Sequence, residues 1–271
     1  MTAIITLTTD FGTRDSYVAE MKGVILGLAP GVRLVDVTHE VEPQQVADGA
    51  LALDGAAAFF PAGTIHLAVV DPGVGTPRRG IVVAAGAQVF VGPDNGLFTP
   101  VLLRENWEAF ELTAAEYRLS VVSRTFHGRD VFAPAAAHLA RGVLPASFGP
   151  PVLDPIRLAW VEARDVAGGV TGTVVHVDRF GNLVTSITAQ HIERMAGPGR
   201  VRVAGRLLPM VGTYGELPPG GAGALVGSRN RLEVVVRDGS AADRFRARRG
   251  TPVLLRWTMR PPETRRPRGR S

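Results

Sequence analysis

Within residues 4–70 the chain alternates strand-like and helix-like patterns, and this alternation restricts its fold more than any other feature. Ile4 to Thr8 is rich in β-branched residues and ends in the turn Thr9-Asp10-Phe11-Gly12-Thr13. From Asp15 to Leu28, Val18, Met21, Val24, Ile25 and Leu28 recur at helical spacing, and Pro30-Gly31 stops the pattern. Val32 to Val37 is a second strand, Val46 to Phe60 a second helix, and Ile65 to Val70 a third strand. The third strand reads as apolar throughout, as a parallel strand covered on both faces does. Strand candidates at Gly80–Ala84 and Val89–Val91 follow, then a helix opening at Asn95-Gly96-Leu97. Such a sequence of elements predicts an α/β domain with a mostly parallel sheet. Ligands of such sheets bind beyond the carboxyl ends of the strands, where Asp10 and Asp71 fall.

The pattern changes near residue 150. Short strand-like runs occur at Val170–Val177, Leu183–Ile187, Val201–Val203, Ala224–Val226, Leu232–Val236 and Val253–Arg256, with Gly, Pro and Asn between them. That spacing predicts a smaller all-β domain, sandwich or barrel. The expected organisation is an α/β domain over 1–150, a linker over 151–168, the β-rich domain over 169–258 and a disordered basic tail over 259–271.

Composition removes several classes of chemistry. There is no cysteine, so disulfides, thiolate catalysis and cysteine-ligated zinc are excluded. No run of about 18 apolar residues predicts a membrane span. The start lacks the basic segment of a signal peptide, so a cytoplasmic location is expected. The net charge of +5 is carried by arginine, with Lys22 the only lysine, and part of it lies in the tail. The rest of the chain is close to neutral, which argues against a nucleic-acid partner.

Four constellations can carry chemistry. Asp10 and Asp15 flank the first strand-to-helix turn; helix capping is the plain alternative, while a carboxylate at Asp10 can accept two hydrogen bonds from a ribose diol. The loop Asp71-Pro72-Gly73-Val74-Gly75-Thr76-Pro77-Arg78-Arg79 lacks the Lys-Ser/Thr of a phosphate loop, and Asp71 could pair with Arg78 across it. Thr125-Phe126-His127-Gly128-Arg129-Asp130 sets a histidine beside a helix start, where it could act as a base or position a water. Asp178-Arg179-Phe180-Gly181-Asn182 is a polar turn between two strands, for which a hairpin with an Asx turn is the alternative. His39, His127, Asp10, Asp71 and Asp94 could in principle gather around a metal, although no HxH or HExxH spacing occurs.

Taken together these segments resemble the S-adenosyl-L-methionine (SAM) hydroxide adenosyltransferases, the hydrolytic relatives of fluorinase and chlorinase. The resemblance runs from about Ile4 to Arg256 and is carried by TTDFGTRDSYVAEMKG, VDVTHEV, VVDPGVGTPRRG, GPDNGL, TFHGRDVFAPAAAHLA, VDRFGNLVTSI and SRNRLEVVV. It implies an α/β domain followed by a barrel-like one, and hydrolysis of SAM at the ribose C5′ carbon to adenosine and methionine. No cofactor and no metal are implied. It also implies homotrimers with active sites between one subunit's N-terminal domain and its neighbour's C-terminal domain.

Residue by residue, the resemblance puts an Asp–Arg–His triad on Asp71, Arg78 and His127 and a ribose-binding carboxylate on Asp10. Asp15, Asp178, Ser228 and Arg229 fall near the methionine moiety; Phe180, Asn182 and Tyr214 fall around the adenine, and Phe126 among the other substrate contacts. Which triad member takes the proton from water is open. The halogenases' pocket serine corresponds to Gly128, and their halide-enclosing tyrosine and threonine to Asp71 and Val74. A carboxylate repels halide, so halogenase activity is the less favoured reading. A SAM- or adenosine-binding module without turnover and a metal-dependent hydrolase compete with the hydrolase reading.

Overall fold

The computed structural model describes residues 2–103, 106–159, 162–195 and 197–257. The chain divides into two compact units, Met1–Trp160 and Val161–Ser271. The tail expected over 259–271 lies outside the described residues.

In the first unit the elements are β1 (Ile4–Thr9), α1 (Tyr17–Leu28), β2 (Arg33–Thr38), α2 (Val46–Ala57), β3 (Ile65–Val69), β4 (Gly80–Ala85), β5 (Gln88–Pro93), α3 (Thr99–Leu102), β6 (Trp107–Glu111) and α4 (Ala133–Ala140). They form a six-stranded sheet of order β2-β1-β3-β5-β4-β6. The pairs β1–β2, β1–β3 and β3–β5 are parallel, whereas β4 runs antiparallel to β5 and β6. The mixed edge follows from chain length. Only Gly86 and Ala87 separate β4 from β5, enough for a hairpin and far too few for a parallel crossover.

Both faces of the sheet are covered. Met21 and Ile25 of α1 and Ala133, Ala136 and Ala137 of α4 pack with Ile5, Leu7 and Leu67 on one side. Ala50 and Leu53 of α2 and Val101 of α3 pack with Ala68, Ile81 and Phe90 on the other. Met21 and Ile25 are wholly buried, and each such side chain contributes about 1.5–3 kcal/mol. The run Ile65–Val69 is buried at every position, including His66, whose ring stacks on Phe90 at 4.8 Å and whose Nδ1 lies 2.8 Å from Thr6 Oγ1. An imidazole thus occupies a core position in a strand that reads as apolar.

β6 has no counterpart in the sequence reading, because Trp107-Glu108-Ala109-Phe110-Glu111 carries two acids and forms a sheet edge. The stretch beginning at Pro151 reads as linker by composition, yet its first part is tied to this unit. Val152 N–H donates to Ala109, Ile156 N–H to Asp94 and Leu158 N–H to Thr99, at 2.7–2.8 Å.

The second unit contains β7 (Arg164–Val166), β8 (Gly169–Val177), β9 (Leu183–Thr188), α5 (Ala189–Glu193), β10 (Gly199–Val203), β11 (Arg206–Pro209), β12 (Ala222–Val226), β13 (Arg231–Val236), α6 (Ala241–Phe245) and β14 (Pro252–Trp257). Seven strands follow the order β11-β10-β14-β8-β9-β13-β12, with β7 beside β8. A bridge between Met210 and Ala224 brings the two ends of this path together, giving a nearly closed barrel-like sheet around Val170, Leu183, Val201, Leu232 and Leu255. β7, β11 and the two short helices are too brief to stand out by periodicity alone.

Candidate active site

The loop after β3 brings Asp71 and Arg78 together. Thr76 folds it by donating from N–H and Oγ1 to Gly73 carbonyl, at 3.1 and 2.6 Å. Gly75 has φ +77°, and a Cβ there would lie 2.6 Å from the Arg124 carbonyl, so only glycine fits. The turn sends Arg78 back over the strand end. Its Nε donates to Asp71 Oδ1 and Oδ2 at 3.0 and 2.9 Å, and its Nη2 also donates to Oδ2. The side chains of Arg78 and Asp71 are 11% and 5% exposed, so this is a buried charge pair, not a surface salt bridge. The Arg78 guanidinium also sits 5.2 Å from the centre of the Phe132 ring.

Arg78 reaches the third group as well, with Nη2 2.9 Å from His127 Nδ1. A guanidinium has no acceptor, so Nδ1 must accept, and the proton of the neutral imidazole lies on Nε2. Burial foremost, then the positive charge of Arg78, holds the His127 pKa below its ordinary value; Asp71 and Asp130 pull the other way. The neutral ring is the form that this contact requires.

His127 opens a single π-helical turn, Gly128–Phe132, that runs straight into α4. The turn is braced by buried Asp130, which accepts from Arg129 Nε at 2.6 Å and from Ser123 N–H at 2.7 Å. Arg129 extends to Glu20 of α1 at 2.9 Å and lies over the Phe126 ring. Phe126 packs edge to face with Phe11 and Tyr17, which tilt against each other, and the centroids are 5.2–5.9 Å apart. A Cβ at Gly128 would come within 3.2–3.3 Å of the Phe126 and Phe11 rings, so this position is filled by aromatic edges.

Asp10 follows β1 at the same end of the sheet as Asp71. Its Oδ2 accepts from Gln44 N–H at 2.8 Å, and Gln44 adopts φ +66° to present that donor. The second oxygen has no partner among the described residues. Asp15 is exposed, and Ser16, not Asp15, occupies the cap of α1.

A second polar group lies in the barrel-like unit. Asp178 Oδ1 accepts from the N–H groups of Phe180 and Asn182 at 2.9 and 2.8 Å, an Asx turn. Asn182 Nδ2 donates to Asp178 Oδ2 at 2.9 Å and approaches the Tyr214 hydroxyl at 3.5 Å. Phe180 is 76% exposed at the tip of the turn, and Tyr214 is partly exposed. Ser228 and Arg229 are exposed between β12 and β13.

Buried Glu233 on β13 interacts with this group: it hydrogen-bonds Tyr214 and faces Asp178 and Arg229. Burial and the Asp178 charge push its pKa up, against Arg229 and Tyr214. The same burial, with Glu233 and Asp178, raises Tyr214. Sequence reasoning missed Glu233, although an acid inside the apolar run Leu232-Glu233-Val234-Val235-Val236 is the signal that could have found it.

Among the described residues, no three His, Asp or Glu side chains converge in a way that could hold a metal. Asp94 is committed to Arg79 and Ile156, and His39 to Thr9 and Asp36. No helix among them is long and apolar enough to cross a membrane.

These features define a two-domain enzyme class, an α/β unit with charged groups at its strand ends followed by a β-barrel-like unit. Residues 5–149 match the SAM hydroxide adenosyltransferase N-terminal domain and residues 172–254 its C-terminal domain. The chain belongs to the SAM hydroxide adenosyltransferase family. It is 43% identical to the (R)-S-adenosyl-L-methionine hydrolase of Thermus thermophilus, over 91% of this chain and 96% of the relative. The hydrolase of that name from Salinispora tropica is also 43% identical, over 88% and 92%. A fluorinase from Actinoplanes sp. is more distant, at 31% over 79% and 83%. A solved structure of an uncharacterized conserved protein from Thermotoga maritima superposes with a TM-score of 0.86 at 34% identity, covering 93% of this chain and 99% of that one.

Proposed function

We propose that this enzyme hydrolyses SAM at C5′, releasing adenosine and L-methionine, and that it acts on the (R) epimer at sulfur. The observation that carries the reading is the buried Asp71–Arg78–His127 cluster at the carboxyl end of the parallel strands. The epimer rests on the names of the relatives that are 43% identical.

The substrate's sulfonium is already a good leaving group. As the water oxygen bonds to C5′, the C5′–S bond breaks and its electron pair stays on sulfur, giving a neutral thioether. No acid is required. The enzyme has to align the water and remove one proton, and alignment alone is worth several kcal/mol. His127 carries its proton on Nε2 and Arg78 has no acceptor, so Asp71 is the group that accepts the proton from water. His127 Nε2–H orients the water oxygen, and Arg78 holds the other two groups in register. In this reading Asp10 takes the ribose diol, Asp15, Asp178, Ser228 and Arg229 the methionine end, and Phe180, Asn182 and Tyr214 the adenine, and Phe126 is among the other substrate contacts. The functional unit is a cytoplasmic homotrimer, which light scattering of the purified protein tests.

Halide transfer is disfavoured by the same observation, because Asp71 presents a carboxylate where a halide would sit. The test is turnover of each SAM epimer in oxygen-18 water, with and without chloride, followed by mass spectrometry. Adenosine labelled at its 5′ oxygen is expected, from the (R) epimer in preference to the (S). A 5′-chloro nucleoside, unlabelled adenosine or tight binding without product would overturn the reading.

A further inference from the structure

Behind Asp10 lies a chain of side chains that the reaction does not use directly. Thr9, the last residue of β1, is wholly buried, and its Oγ1 is 2.8 Å from Nδ1 of His39, which is also buried. On the far side of the ring, Nε2 lies 3.1 Å from Asp36 Oδ1, a close contact without hydrogen-bond geometry. Asp36 Oδ2 receives Lys22 Nζ at 2.6 Å. Lys22 is the only lysine in the chain.

Charge fixes the sense of the outer links. Burial of Asp36 acts upward on its pKa, and Lys22 and His39 outweigh it, so the group is a carboxylate held below its ordinary range. The Asp36 carboxylate calls for donors, so Lys22 and the Nε2 edge of His39 both face it, while Nδ1 of the same ring meets the Thr9 hydroxyl. The Thr9 oxygen in turn accepts from Phe11 N–H at 3.3 Å, and the His39 carbonyl accepts from Gly12 N–H at 2.7 Å. The chain therefore grips the turn on both sides of Asp10, while Gln44 N–H holds the carboxylate itself.

We propose that Lys22, Asp36, His39 and Thr9 are positioning residues that aim Asp10 at the ribose hydroxyls and so set the enzyme's preference for a nucleoside bearing a 2′,3′-diol. This rests on the reading that Asp10 takes the ribose. None of the four touches substrate; they act through the turn.

The test is calorimetric binding of adenosine and of 2′,3′-dideoxyadenosine to wild type, Thr9→Val, Asp36→Asn and Asp10→Asn. Wild type prefers adenosine. Thr9→Val keeps the shape of the side chain and removes the link; it reduces that preference about tenfold, the worth of one hydrogen bond between the Asp10 carboxylate and a ribose hydroxyl. Affinity for the dideoxy nucleoside stays within twofold. Asp36→Asn, at the exposed end, moves the preference the same way and carries the test if Thr9→Val does not fold. Equal losses for both nucleosides would mean a merely structural role, and unchanged preference in both variants would also overturn the proposal. If Asp10→Asn itself leaves the preference intact, the ribose reading of Asp10 fails instead.

Discussion

Asp71→Asn separates the roles within the triad. The substitution preserves shape and leaves an amide oxygen for Arg78, but removes the proposed proton acceptor. A positioned general base contributes about 10²–10⁴ in rate, equivalent to about 3–5 kcal/mol of barrier. Stability falls too, since the side chains of Asp71 and Arg78 are only 5% and 11% exposed and the guanidinium loses its counter-charge. Breaking such a pair costs about 3 kcal/mol at the low end, a fall in Tm on the order of 10 °C. His127→Asn loses one orienting hydrogen bond, so the expected rate loss is smaller, about tenfold. The assay is single-turnover formation of adenosine at 25 °C, with circular dichroism melts confirming that each variant is folded at that temperature. A folded Asp71→Asn enzyme within tenfold of wild type refutes the assignment of the base. So does a larger loss in His127→Asn than in Asp71→Asn.

Three further outcomes follow from the same geometry. Because burial and Arg78 depress the His127 pKa, activity is flat at neutral pH and falls only as acid drives the pH below about 6.5, when Nδ1 gains a proton facing a guanidinium; a pH–rate profile with its acid limb above that value contradicts this. Glu233 has a raised pKa, so its share of stability is present below the unfolded value of about 4.3 and is lost as pH rises through the folded one. Glu233→Gln removes that loss, and its Tm relative to wild type increases from pH 4 to pH 8; a gap that shrinks over this range is the contrary result. Ile25→Ala, on the buried face of α1, destabilises by about 2–5 kcal/mol in denaturant titration while KM stays within twofold.

The elements between residues 4 and 70 were legible because each has the period of its class and a Gly or Pro boundary. What periodicity does not encode is strand direction at the sheet edge, where the shortness of the β4–β5 connection decides it, nor strands as short as β11. Asp71 and Arg78 stand seven residues apart, and only the folded loop, with glycine in a left-handed conformation at 75, turns that spacing into a buried pair. The tautomer of His127 depends on which side of the ring Arg78 approaches, a fact of three dimensions. Glu233 carried a signal, an acid within an apolar run, whereas the chain from Lys22 to Thr9 is assembled from separate elements and has no pattern along the sequence.

The turn after β1 gives three consecutive residues three separate contacts: Thr9 meets His39, Asp10 accepts from Gln44 N–H, and Phe11 packs in the aromatic cluster beside the histidine loop. A single inserted or deleted residue would put all three out of register at once, so this segment has almost no latitude for redesign. Phe180 stands at the opposite extreme, on a self-contained Asx turn with its ring in solvent. Residues 9–11 should therefore stay fixed in any library, whereas the turn at Phe180 can be varied with little disturbance to the fold.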